Sequence, residues 1–166
     1  MTSTKNDVET KIDLKTDTRH KVGEILQARL ADCLDLQMNC KQAHWNVKGP
    51  HFIGLHELFD KIHEAVDGYA DLIAERMAQF GLLVKGTASV VAKESSLDHY
   101  PLEIIDGADH VDALSNSLAT FAKSARKAID QTDDLGDKGT SDMFTDISRG
   151  IDQWLWFVEA HQQGRG

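Results

Sequence analysis

The stretch HELFDKIHEAVDGYADLIAER, residues 56 to 76, sets histidines and carboxylates at helical spacing along a surface that is otherwise apolar. At 100° per residue His56 and Asp60 form an i, i+4 pair on one face, and so do Asp71 and Glu75. Each pair has the reach to grip one side of a metal ion. Asp71 lies eleven residues beyond Asp60, so the two pairs share a broad face but stand roughly 16 Å apart along the axis. Metal–ligand bonds of about 2 Å cannot close that gap. A two-fold axis near the middle of the helix does close it, because an antiparallel copy brings Asp71 and Glu75 of one chain opposite His56 and Asp60 of the other. Symmetry then makes two identical sites per dimer. His44, just across the NVKGP turn, is placed to join the histidine half. Mixed imidazole and carboxylate ligation without thiolate suits iron, and also zinc, manganese or cobalt; redox chemistry would favour iron. Taken singly, each residue also fits a solvated helix face, and it is their common register that points to metal.

These side chains require long helices to position them. Apolar residues recur at helical spacing, with no alternating strand pattern, so the expected class is all-α. The first helix starts near His20 and carries Val22, Ile25, Leu26, Leu30, Cys33, Leu34 and Met38 to His44 and Trp45. Gly49 and Pro50 break it. The second, from about Phe52 to Phe80, carries Leu55, Phe59, Ile62, Val66, Tyr69, Ile73 and Met77, with Gly81 placed as its C-terminal glycine. Residues 81 to 101 are irregular apart from a short helix at Ser89 to Glu94. That length of chain crosses from one end of a bundle to the other, which is the ferritin-like arrangement of four helices with one long connection. The third helix runs from about Leu102 to Asp130 and the fourth from about Thr140 to Gln162. No internal repeat or low-complexity run stands out.

A chain of 166 residues fits one domain. Residues 1 to 18 have little apolar content and read as a flexible tail, leaving 19–166 as the bundle domain. The start, MTSTKNDVETK, lacks the apolar core of a signal peptide, and no apolar run is long enough to span a bilayer, so a cytoplasmic protein without a membrane partner is expected. Cys33 and Cys40 lie about 10 Å apart by helical rise, too far to bridge, and are expected to pack in the core. The net charge of −9 disfavours passive adhesion to nucleic acid.

HWNVKGPHFIGLHELFD followed by DLIAER resembles the signature of the starvation-induced, DNA-protecting miniferritins known as Dps proteins, and helix order, crossover and the terminal LWFVEAH segment agree. The resemblance implies a homo-oligomer, a hollow dodecamer that binds ferrous iron at two-fold interfaces, oxidises it preferentially with hydrogen peroxide and stores ferric mineral. It implies a ferroxidase whose catalytic and metal-binding residues are His44, His56 and Asp60 of one subunit with Asp71 and Glu75 of its partner; zinc, which suits the same donor types, is the candidate competitor. The Glu-x-x-His motif of intrachain ferritin sites is absent, which favours the interfacial site. Trp45, next to His44, resembles the family tryptophan near this site, placed where it could intercept stray oxidising equivalents, and equally reads as a packed aromatic at a helix end.

His63 and Asp67 fall on the same face, between the two halves. They either extend the metal-binding surface or form a hydrogen-bonded interface pair with a polar spacer; the second is the expectation. His51 and His99 read as surface residues. Asp133, Asp134, Asp137, Asp142 and Asp146 cluster between the third and fourth helices; Asp142 and Asp146 either line a cation-attracting pore or complement the dipole of the fourth helix. In residues 1 to 21, Lys5, Lys11, Lys15, Arg19 and Lys21 face Asp7, Glu9, Asp13 and Asp17. So small a positive excess predicts weak, salt-sensitive DNA binding or none, and the alternative function, a DNA-coating protein with little ferroxidase activity, rests on that tail alone.

Overall fold

The computed structural model describes residues 7–163, which form five helices: α1 (Thr16–Asn46), α2 (Phe52–Gln79), α3 (Ala88–Glu94), α4 (Gly107–Asp134) and α5 (Lys138–Glu159). α1 packs on α2 and α4 on α5, and the two hairpins meet through α1 with α4 and α2 with α5. This is the all-α, ferritin-like four-helix bundle with a long crossover between its second and third long helices. The short α3 lies within that crossover, against α1.

Leu26, Phe59, Ile62 and Ile73 of the expected stripes are fully buried, and Leu36, Leu114, Phe121, Phe144 and Ile151 complete the core with them. Such burial is the main favourable term, at roughly 1.5–3 kcal/mol per large apolar side chain. Cys33 and Cys40 are buried and free, and burial pushes both thiols up, so they pack as small hydrophobes. Met38 departs from its stripe and is half exposed. Among the described residues no helix is long and apolar enough to cross a membrane.

Two boundaries have tertiary causes. The helix expected from Leu102 starts instead at Gly107, because Lys48 N–H donates to the Ile105 carbonyl and Gly107 N–H to that of Lys48, a parallel bridge between Lys48 and Asp106 that holds residues 105 and 106 out of the helix. Asp106 then caps α4 by accepting from Ala108 N–H. At the end of α2, Gly81 adopts φ +74°, and a Cβ there would lie 2.0 Å from the Val8 carbonyl oxygen. Val8 N–H donates to the Gly81 carbonyl at 2.9 Å, and Ile12 and Leu14 pack against the core. Of the N-terminal residues read as a tail, 1–6 lie outside the described residues and 7–15 run along the bundle before α1.

Candidate metal centre

α1 and α2 run antiparallel around the short NVKGP turn, which sets His44 beside His56. Their rings stack with centroids 3.7 Å apart and planes 20° from parallel. His44 Nδ1 meets the His56 carbonyl at 2.8 Å, and His56 Nδ1 meets the His44 carbonyl at 2.9 Å. A carbonyl only accepts, so each Nδ1 carries the proton and each Nε2 keeps its lone pair. That is how metal-binding imidazoles are oriented: the outer nitrogen is anchored and the ligating one presented.

Asp60 lies one turn on, with Oδ1 4.0 Å from His44 Nδ1. Lys41 forms an ion pair with the same oxygen and holds the Asp60 carboxyl below its ordinary value; His44 and His63 act in the same direction and burial opposes them. The ammonium thus occupies the charge position a cation would take. Lys41 went unnoticed in the sequence, although it precedes His44 by three residues and shares its helix face.

Asp71 and Glu75 are exposed further along α2 and are not brought to the histidines within the chain. Among the described residues no three His, Cys, Asp or Glu side chains come together to hold a metal. Around the two clusters α1 and α2 also expose apolar side chains: Met38, Trp45, Phe52, Ile53 and Leu72 are between 39% and 68% exposed. Phe52 packs its ring 5.1 Å from that of His56.

His63 and Asp67 do not bond to each other. His63 Nδ1 meets the Gln37 carbonyl at 3.1 Å, and Gln37 Nε2 donates to Asp67 Oδ1 at 2.6 Å. Of the acids between the last two helices, Asp137 is 2% exposed, caps α5 by accepting from Thr140 N–H and pairs with Arg76 at 3.0 Å. Asp133 pairs with Lys138 and Asp146 with Arg149, while Asp142 and Asp134 are exposed. His51 and His99 are at the surface, as expected.

Fold and chain comparison agree on the class: residues 23–164 match the model of the ferritin-like domain. A DNA protection during starvation protein of Agrobacterium fabrum is 44% identical over 154 residues, covering 93% of this chain and 95% of that protein. One of Mycolicibacterium smegmatis is 37% identical, covering 87% and 79%. Among solved structures, the tetragonal form of Mycobacterium smegmatis Dps superposes with a TM-score of 0.90 at 34% identity, over 96% of this chain and 97% of that one. DpsA14 from Streptomyces coelicolor gives 0.91 at 30% identity, over 97% and 95%. The chain therefore belongs to the Dps family of ferritin-like proteins.

Proposed function

We propose that this protein is a ferroxidase and iron store that protects DNA by removing ferrous iron and hydrogen peroxide together. Its site is shared across a two-fold interface, with His44, His56 and Asp60 of one subunit and Asp71 and Glu75 of the other. The observation that carries the reading is the reciprocal anchoring of His44 and His56, which leaves two Nε2 lone pairs available, with Asp60 one turn on and paired with the displaceable Lys41 ammonium. Ferrous iron is the substrate: imidazole and carboxylate hold it, and the three carboxylates offset the charge gained on oxidation. Peroxide takes two electrons, one from each of two ferrous ions, and with two protons leaves as water, so no hydroxyl radical is released. Zinc fits the same donors and competes.

The relatives' name, DNA protection during starvation protein, supports the protective role. The same reading makes the assembly a cytoplasmic dodecameric shell built from the bundle domain; of the N-terminal segment 1–18, residues 7–15 lie along that bundle and 16–18 belong to α1. DNA contact is weak, because that segment carries almost balanced charge.

The test is anaerobic addition of Fe²⁺ to the purified assembly, then peroxide, recording ferric absorbance and trapped hydroxyl radical in wild type and in His44→Ala/Asp60→Ala. Rapid oxidation without radical in the wild type, lost in the variant, is expected. Equal behaviour of the two proteins would remove these residues from the site.

A further inference from the structure

The segment HELFDKIHEAVD contains the same pattern twice, seven residues apart: His56 with Glu57 and Asp60, then His63 with Glu64 and Asp67. Seven residues are nearly two helical turns, so the second His/Asp pair stands above the first on the same face of α2, turned by about 20°. The structure repeats the chemistry as well as the spacing. His63 Nδ1 is anchored on a backbone carbonyl of α1, that of Gln37 at 3.1 Å, as His56 is on that of His44 at 2.9 Å. Its Nε2 is likewise the nitrogen left with a lone pair. Asp67 is held by the Gln37 side chain at 2.6 Å, as Asp60 is held by Lys41. One difference matters: Lys41 brings a positive charge to the first carboxylate, whereas Gln37 is neutral and leaves the charge of Asp67 uncompensated by that contact.

The partner completes the site. Placing Asp71 and Glu75 of one copy against Asp60 and His56 of the other fixes the register of two antiparallel α2 helices, and the axis then crosses at the level between Ala65 and Val66. His63 and Asp67 of both copies lie within about 4 Å of that level, whereas each iron site lies about 11 Å away along the helix. Two imidazoles and two carboxylates, those of His63 and Asp67, are therefore brought to the same level from the two chains. Neutral imidazoles cannot offset that negative charge, and like charges brought together at an interface oppose association unless a cation joins them. Gly68, next to this level, has open space where a Cβ would be, which permits close approach of the helices.

We propose that His63 and Asp67 of two subunits form a second, axial metal site, one per dimer, that takes a divalent cation of the zinc class in a two-nitrogen, two-oxygen set. Such a donor set suits a redox-inactive structural ion, closed by four protein ligands. It ties the two iron sites of one interface together without taking part in oxidation. The inference rests on the two-fold register of the proposed ferroxidase.

Cobalt(II) is the probe, because a four-coordinate tetrahedral site gives strong visible absorption. The assembled His44→Ala/Asp60→Ala protein, lacking two of the five proposed iron ligands, is titrated with Co²⁺ and then with Zn²⁺. Expected is a tetrahedral spectrum saturating at one Co²⁺ per two chains, displaced by Zn²⁺. Adding His63→Gln or Asp67→Asn should each weaken it by at least about a hundredfold, more than loss of an outer-shell partner costs. His63→Gln alone should leave ferrous oxidation at the wild-type rate, with unchanged assembly size. No tetrahedral cobalt, or cobalt indifferent to both substitutions, overturns the axial site. If ferrous oxidation persists and still depends on His44, that failure is of the axial site alone; if oxidation is also independent of His44, the shared register fails with it.

Discussion

His44 and His56 lock one another: each imidazole donates through Nδ1 to the other's backbone carbonyl, at 2.8 and 2.9 Å, with the rings stacked 3.7 Å apart. Two histidines twelve residues apart thus behave as one unit. Replacing either by alanine removes a proposed ligand and also frees the orientation of the other. His44→Ala and His56→Ala are each expected to abolish rapid ferrous oxidation, and the double variant to be little worse than either single one. Stopped-flow ferric absorbance checks this; two modest, additive losses would count against a single unit.

Lys41 competes with any cation for Asp60. Lys41→Gln should tighten Co²⁺ binding a few-fold, since a partly exposed ion pair is worth at most about 1 kcal/mol. The gap between the two proteins should narrow as salt rises. Calorimetric titration of both at two ionic strengths reads this directly, and weaker binding by Lys41→Gln would show the ammonium to be a helper instead of a competitor.

Arg76, next to Glu75, joins α2 to the start of α5 through Asp137 and Thr140, and its guanidinium lies 4.4 Å from the Phe80 ring centroid. Asp137→Ala leaves that guanidinium without its carboxylate and α5 without its cap. A loss of about 3 kcal/mol is expected, read as a lower midpoint in denaturant. A shift of less than about 1 kcal/mol would mean that water replaces the pair, as at exposed sites.

Gly81→Ala would force a side chain into left-handed backbone and against the Val8 carbonyl. The strain amounts to about 1–2 kcal/mol, and it should also detach residues 7–15 from the bundle. Faster amide exchange at Val8, whose N–H donates to Gly81, is the specific readout.

His110 is fully buried, and its Nδ1 lies 2.9 Å from the Tyr100 hydroxyl. Burial holds its pKa below the ordinary 6.5, against the opposing pull of the Ile104 backbone and Asp109. The unfolded chain takes up a proton near that ordinary value while the fold resists it. Stability from neutral His110 is therefore full above pH 6.5 and is lost as pH falls through and below it. Melting temperatures at about pH 7.5 and about pH 5.5 should differ less in His110→Gln than in the wild type. An unchanged difference would mean that other groups set the acid slope.

Much of this was legible in the sequence because it is local. Apolar stripes at helical period marked the four long helices, and Gly81 marked the end of α2. That His56 and Asp60 stand apart from Asp71 and Glu75 within one chain was also legible, since helical rise is the same in any context. Helix four was misplaced by only two or three residues at its ends. The start of α4 was missed by five, because an unbroken run of favourable residues says nothing about a backbone bridge to Lys48.

What the sequence by itself determined is thus the set of helices, their order and the face on which each proposed ligand stands, all consequences of periodicity along one chain. What only the tertiary structure decided is how α1 sits against α2. That register joins His44 to His56, gives Asp60 to Lys41, and makes His63 and Asp67 share Gln37 instead of bonding each other. Hydrogen-bond partners twelve to thirty residues apart follow from side-chain packing between two surfaces, and no period within either helix encodes it.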